Sequence, residues 1–176
     1  MKKKRLSHLG GLAVLLLGVY LGCGSNKNLN PQSDLKFSGA DPPAINVSVN
    51  PPLTRQVYFV FSVQISDPSL SLIPQDAWTI DGYDLTYTLL SDPGHHLVSL
   101  PPSDQSSLKV KVKPYTPTRY PITMVTDQYL LENATGFIGT SDTATIKAHI
   151  VFRTHRNKDG ARKTVTAKYL FTIGNF

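Results

Sequence analysis

The stretch VYFVFSVQIS, Val57 to Ser66, decides the fold. Val57, Phe59, Phe61, Val63 and Ile65 fall on one side of an extended chain, and Tyr58, Val60, Ser62, Gln64 and Ser66 on the other, because successive side chains of a strand point to opposite faces. This period of two marks a strand with a buried face. Asp67-Pro68-Ser69 supplies turn chemistry behind it.

The same alternation continues on both sides. Upstream, Ile45, Val47 and Val49 alternate with Asn46 and Ser48 until Pro51-Pro52, which predicts a first, edge strand. Downstream, Trp78 to Leu90 puts Ile80, Tyr83, Leu85, Tyr87 and Leu89 forward as core or half-buried positions, and the change of phase at Gly82 suits a bulge. Leu97 to Leu100 is a short apolar piece before Pro101-Pro102. Leu108, Val110 and Val112 then alternate with Lys109, Lys111 and Lys113, a strand with one wet, cationic face. The segment YTPTRY, residues 115–120, reads as a turn-rich crossing. A strand around Met124 or a short helical turn over Asp127 to Leu131 follows, then a loop from Asn133 to Thr143.

The end of the chain is a hairpin. Ile146, Ala148, Ile150 and Phe152 point inward while Lys147, His149, Arg153 and His155 point outward; Asn157-Lys158-Asp159-Gly160 turns the chain, and Val165, Ala167, Tyr169, Phe171 and Ile173 form the inward face of the last strand. Seven or eight strands in about 130 residues predict an all-β domain, a two-sheet antiparallel sandwich. A small closed barrel is the alternative, since alternation alone does not separate stacking from closure.

Two further stretches carry resemblances. The octapeptide Ile80 to Tyr87, IDGYDLTY, resembles the third strand of fibronectin type III domains. The resemblance implies immunoglobulin-like topology and a role in adhesion, spacing or recognition. The final FTIGNF, behind the Asp159-Gly160 hairpin, is similar to the ends of bacterial envelope lipoproteins with an immunoglobulin-like domain and no known activity.

At the amino terminus, Lys2, Lys3, Lys4 and Arg5 precede an uncharged apolar run from Leu9 to Leu21. This is a secretory signal pattern; thirteen helical residues rise only about 20 Å, against roughly 30 Å of bilayer hydrocarbon. The run ends in Leu21-Gly22-Cys23, which resembles the lipobox of bacterial lipoproteins. The resemblance implies cleavage before Cys23, attachment of diacylglycerol to its thiol and acylation of the new amino group. Gly24 after the cysteine, in place of the aspartate that often retains such proteins at the inner membrane, implies an outer-membrane location in a Gram-negative cell. The expected organisation is a signal peptide over 1–22, a lipidated cysteine and flexible tether over 23–44, and a sandwich over 45–176. The tether assignment rests on the Asn, Ser, Gly and Pro content of residues 24–44.

Charge follows from that organisation. The whole chain carries +6 and has a pI near 9.4, but from Cys23 onward fourteen Lys and Arg face twelve Asp and Glu. A nearly balanced domain gives no argument for nucleic acid as partner. The single cysteine excludes intrachain disulfides.

The chain contains no G-x-S-x-G, S-x-x-K or H-E-x-x-H motif and no phosphate-binding glycine loop. His149 and His155 are about 20 Å apart on one strand face and cannot share a metal. His95-His96 and the group Asp76, Asp81 and Asp84, with Asp67 nearby in sequence, offer metal-ligand types, but their spacing reads as solvated loop residues and strand caps. No catalytic residue, metal or cofactor is assigned. The remaining signal is cationic: Lys109, Lys111 and Lys113 form one row, and Lys147, Arg153, Arg156 and Arg162 belong to a second. On a single sheet they would make a patch for anionic polysaccharide or lipid; otherwise they are edge guards. The expectation is a non-catalytic envelope lipoprotein making protein or envelope contacts, with anionic-ligand binding as the alternative.

Overall fold

The computed structural model describes residues 33–65 and 77–176. Nine strands form two sheets, with one helix between strands. β1 (Ser33–Asp41), β3 (Arg55–Ile65) and β7 (Thr118–Val125) make a three-stranded antiparallel sheet in the order β1-β3-β7. The second sheet runs β2 (Ile45–Ser48), β9 (Arg162–Gly174), β8 (Thr143–Arg156), β4 (Trp78–Ser91) and β5 (Asp104–Ser106), with β6 (Val110–Val112) also paired to β4. The sheets stack as an immunoglobulin-like sandwich and neither closes into a barrel.

The stretch that opened the reading behaves as its alternation requires. Val57, Phe59, Phe61 and Val63 are buried, and Tyr58 is 38% exposed. Facing them across the sandwich are Ile146, Ala148, Ile150 and Phe152 of β8 and the alternate residues Val165 to Ile173 of β9. Phe152 is the hub: its ring lies 4.8 Å from Phe61, 5.7 Å from Phe59 and 5.8 Å from Tyr120 of the opposite sheet. Edge-to-face contacts of this kind add to the burial of ring area.

Gly82 carries the bulge. The β4–β8 register shifts between Ile80 and Gly82, and Gly82 has φ +148°. A Cβ there would stand 1.9 Å from the Ser106 carbonyl oxygen, so both backbone conformation and the approach of β5 demand glycine. The bulge also resets the phase, so Asp81 and Asp84, three positions apart, both sit half-buried on the same outer face.

Several expectations are corrected. Ser33–Asp41 lies within the stretch assigned to a flexible tether, yet it is β1, paired from Ser33↔Ile65 to Asp41↔Tyr58; the sandwich therefore begins well before residue 45. Among the described residues there are nine strands, and β2 pairs with β9 in parallel. The crossing 115–120 already contains the start of β7, and the segment beyond it splits into β7 and helix α1 (Asp127–Asn133). Thr126 caps α1 by accepting the Tyr129 N–H at 3.1 Å. Leu89 and Leu108, offered as inward positions, are 42% and 54% exposed: Leu89 pairs with Ile146 beyond the part of β4 that β5 covers, and Leu108 precedes β6. The turn at Asp67-Pro68-Ser69 lies outside the described residues.

Candidate functional site

Whether the two cationic rows meet is decided by strand register. Lys111 pairs with Thr79, Thr79 with His155, and His155 with Arg162. Paired residues project to the same side, so Lys111, His155 and Arg162 lie on the outer face of one sheet, beside Arg153. All are near the end of the sandwich where β1 begins, because the Trp78 indole N–H donates to Ser33 Oγ at 3.2 Å. Lys113 follows Lys111 at the same end, past the last residue of β6.

Other members of the rows separate. Lys147 is on the same face but pairs with Thr88, eight residues and about 26 Å from His155. Lys109 precedes β6. Arg156 alternates to the opposite side from His155 and forms an ion pair with Asp159 of the hairpin turn. Cys23 lies outside the described residues.

The acids that sequence reading set aside as turn and capping residues are the partners of this face. Arg153 forms an ion pair with Asp84 and donates to the Ser106 carbonyl at 2.9 Å. His155 Nδ1 is 2.7 Å from Asp81 Oδ2. Lys163, whose strand neighbours face outward, reaches across to β1, donating to Asp34 at 2.5 Å and to the Leu35 carbonyl at 3.1 Å. Burial pushes the Asp34 carboxyl up, but hydrogen bonds from Lys163 and Lys36 together with their charges outweigh it and leave the pKa below the ordinary 3.8. Arg156, with the Ala161 N–H, lowers Asp159 to about 2.

An open cavity of about 770 Å³ lies here, lined by Asp81, Arg153, His155, Gly160, Arg162 and Thr164 among others. Its walls hold two guanidinium groups and one carboxylate. Such a lining suits an oxyanion, with Arg162 as the group left to bind it: Arg153 and His155 already have acids, whereas Arg162 has no ion pair among the described residues. Lys111, Lys113 and Lys158 are likewise exposed without an ion pair.

The other end of the sandwich carries different chemistry. His96 Nε2 is 2.9 Å from Asp142 Oδ2, with its ring edge-on to Phe137 at 5.1 Å. Asp92 accepts the N–H groups of His96 and Leu97. No group of three or more His, Cys, Asp or Glu suited to a metal occurs among the described residues. A smaller cavity of about 200 Å³ lies beside Tyr87, Asp104, Met124 and Tyr129. The Tyr87 hydroxyl donates to the Met124 carbonyl at 2.8 Å and that of Tyr129 to the Ser99 carbonyl at 2.6 Å; burial pushes both phenols up.

No helix among the described residues is long and apolar enough to cross a membrane. No family model matches the chain, and no curated protein matches it. A crystal structure of a protein from Archaeoglobus fulgidus is similar over 80% of this chain and 94% of its own, at 14% identity and a TM-score of 0.38, a likeness that carries no argument about function.

Proposed function

We propose that this chain is a lipid-anchored bacterial envelope protein whose sandwich is a non-catalytic contact module. The observation that carries the reading is the order of parts: a basic and apolar leader, a lone Cys23 behind a small residue, and a sandwich whose first strand begins at Ser33, ten residues later. A module so placed works at the membrane surface. Its stacked sheets supply rigid faces and ends for contact, which is how immunoglobulin-like sandwiches commonly serve.

Metabolic labelling with an alkyne fatty acid tests the anchor. The wild-type chain should incorporate label and sediment with membranes, and Cys23→Ser should abolish labelling and release the protein. Label retained by Cys23→Ser removes the reading. Sustained turnover of ester, peptide or glycan substrates by the purified protein, lost on mutation of a sandwich residue, overturns the non-catalytic half. A second reading, an anionic-ligand module, is favoured by the convergence of Lys111, Arg153 and Arg162 on one face.

A further inference from the structure

We infer that the end of the sandwich where β1 begins docks onto anionic lipid headgroups of the membrane holding the anchor, so that α1 stands outermost. The inference rests on lipidation at Cys23 and adds an orientation and a ligand chemistry.

Chain length supplies the first argument. Ten residues lead from Cys23 to Ser33, a covalent reach of at most about 35 Å. The sandwich is longer than that reach: the fourteen residues of β4 span about 45 Å. The end holding Ser33 and Trp78 is thereby kept near the surface, and the far end is not.

Charge supplies the second. At the near end Lys111, Lys113, Lys158 and Arg162 are exposed and have no ion pair among the described residues. At the far end stand Asp92, Asp127, Glu132 and Asp142, the last paired with His96, against Arg55 and Lys147 as the nearby cations. An anionic leaflet attracts the first set and repels the second, so both ends favour the same orientation. The open cavity beside Arg162, with Gly160 and Thr164 on its wall, lies at this end of the outer face.

The pairing pattern favours lipid over an extended anionic polymer. A polysaccharide chain lying along the outer face needs a continuous cationic row. Asp84 and Asp81 neutralise that row at Arg153 and His155, which separates Lys147 and Lys168 from the free charge at the end.

The chain's one tryptophan is Trp78, at the docking end, which makes it a native probe. The full-length lipidated protein is reconstituted in phosphatidylcholine vesicles with or without phosphatidylglycerol, both containing a headgroup-nitroxide lipid that quenches indole fluorescence. Quenching is expected to be stronger with phosphatidylglycerol and to fall in high salt. Combining Lys111→Ser, Lys158→Ser and Arg162→Ser should lower it toward the phosphatidylcholine level, each change lowering the ratio of docked to undocked domain about fivefold. The variant should still float with vesicles and keep its circular dichroism, since all three side chains are exposed. Equal quenching in both vesicle types, or quenching unchanged in the triple variant, overturns the inference while leaving the anchor intact. Binding to soluble dextran sulfate with no response to phosphatidylglycerol overturns it in favour of a polymer ligand. Failure of the wild type to float removes the lipidation reading itself, and the orientation with it.

Discussion

Where β1 begins, the strands run out in Lys and Arg, some joined to Asp as ion pairs and others exposed; where α1 lies, they run out in Asp and Glu, in tyrosine hydroxyls bonded to carbonyls, and in the exposed apolar side chains Val98, Leu131 and Ile138. The pairs at the first end are partly exposed, with Lys163 and Asp34 at 36% and 41%, so they respond to salt and acid. The bonds at the second end are half-buried, and they respond to loss of a hydroxyl or to alkali. Near-neutral composition conceals this polarity. A difference of two charges from Cys23 onward is compatible with a strong dipole, because the field depends on where strands place charges and not on their sum.

The two ends share one core, and Phe152→Ala should therefore damage both. Its ring touches Phe59, Phe61, Tyr83 and Tyr120, and deleting a buried phenylalanine costs about 3–5 kcal/mol. Chemical denaturation should show a single transition at lower midpoint, with Trp78 fluorescence and far-ultraviolet circular dichroism changing together. Separate transitions would make the ends independent units and break the comparison.

The legibility of the two ends differs for a physical reason. β3, β8 and β9 could be read because one face of each is buried by the other sheet, so apolar residues recur at every second position. β1 could not: Leu35 and Phe37 alternate with Asp34 and Lys36, but only Leu35 is fully buried, and Gly39 to Pro43 look like linker. Its stability comes from eight register partners on β3, which no local pattern encodes. The same holds for the cationic face. Lys111 and Arg162 meet only through three successive pairings across β4, β8 and β9. Asp81 and Asp84 became partners of His155 and Arg153 only because a bulge at Gly82 resets the strand's phase. The glycine was visible in the sequence; its consequence for the acids followed from register.

Tyr129→Phe isolates the far end. The hydroxyl donates to the Ser99 carbonyl, fixing the 92–103 loop to α1, and its loss costs about 0.5–1.5 kcal/mol because Ser99 is exposed to water. The pH dependence carries a second signature. Burial raises Tyr83, Tyr87 and Tyr129 above the ordinary 10 and pushes Tyr169 up to about 12. For a group whose folded pKa is raised, the stabilisation is complete below the unfolded value and is lost as pH rises through the folded one. The protein should therefore weaken above pH 10, and Tyr129→Phe, having one phenol fewer to ionise, should weaken less steeply. Melting temperatures measured from pH 8 to 11 check both points; equal slopes would mean that Tyr129 is solvated in the native state.

Asp34→Asn addresses the near end and should have the smallest effect. Because both partners are more than a third exposed, the pair with Lys163 contributes no more than about 1 kcal/mol. The folded pKa of Asp34 lies below its unfolded value of 3.8, so its contribution is present above 3.8 and disappears as pH falls through the folded value. At neutral pH and low salt the variant should unfold slightly earlier than wild type; that gap should close below pH 3 and in molar salt, where screening shortens to about 3 Å. A gap that survives both conditions would mean that β1 is held at Asp34 by packing and not by charge. The two ends of the sandwich would then differ in the charge they display and not in the forces that hold them.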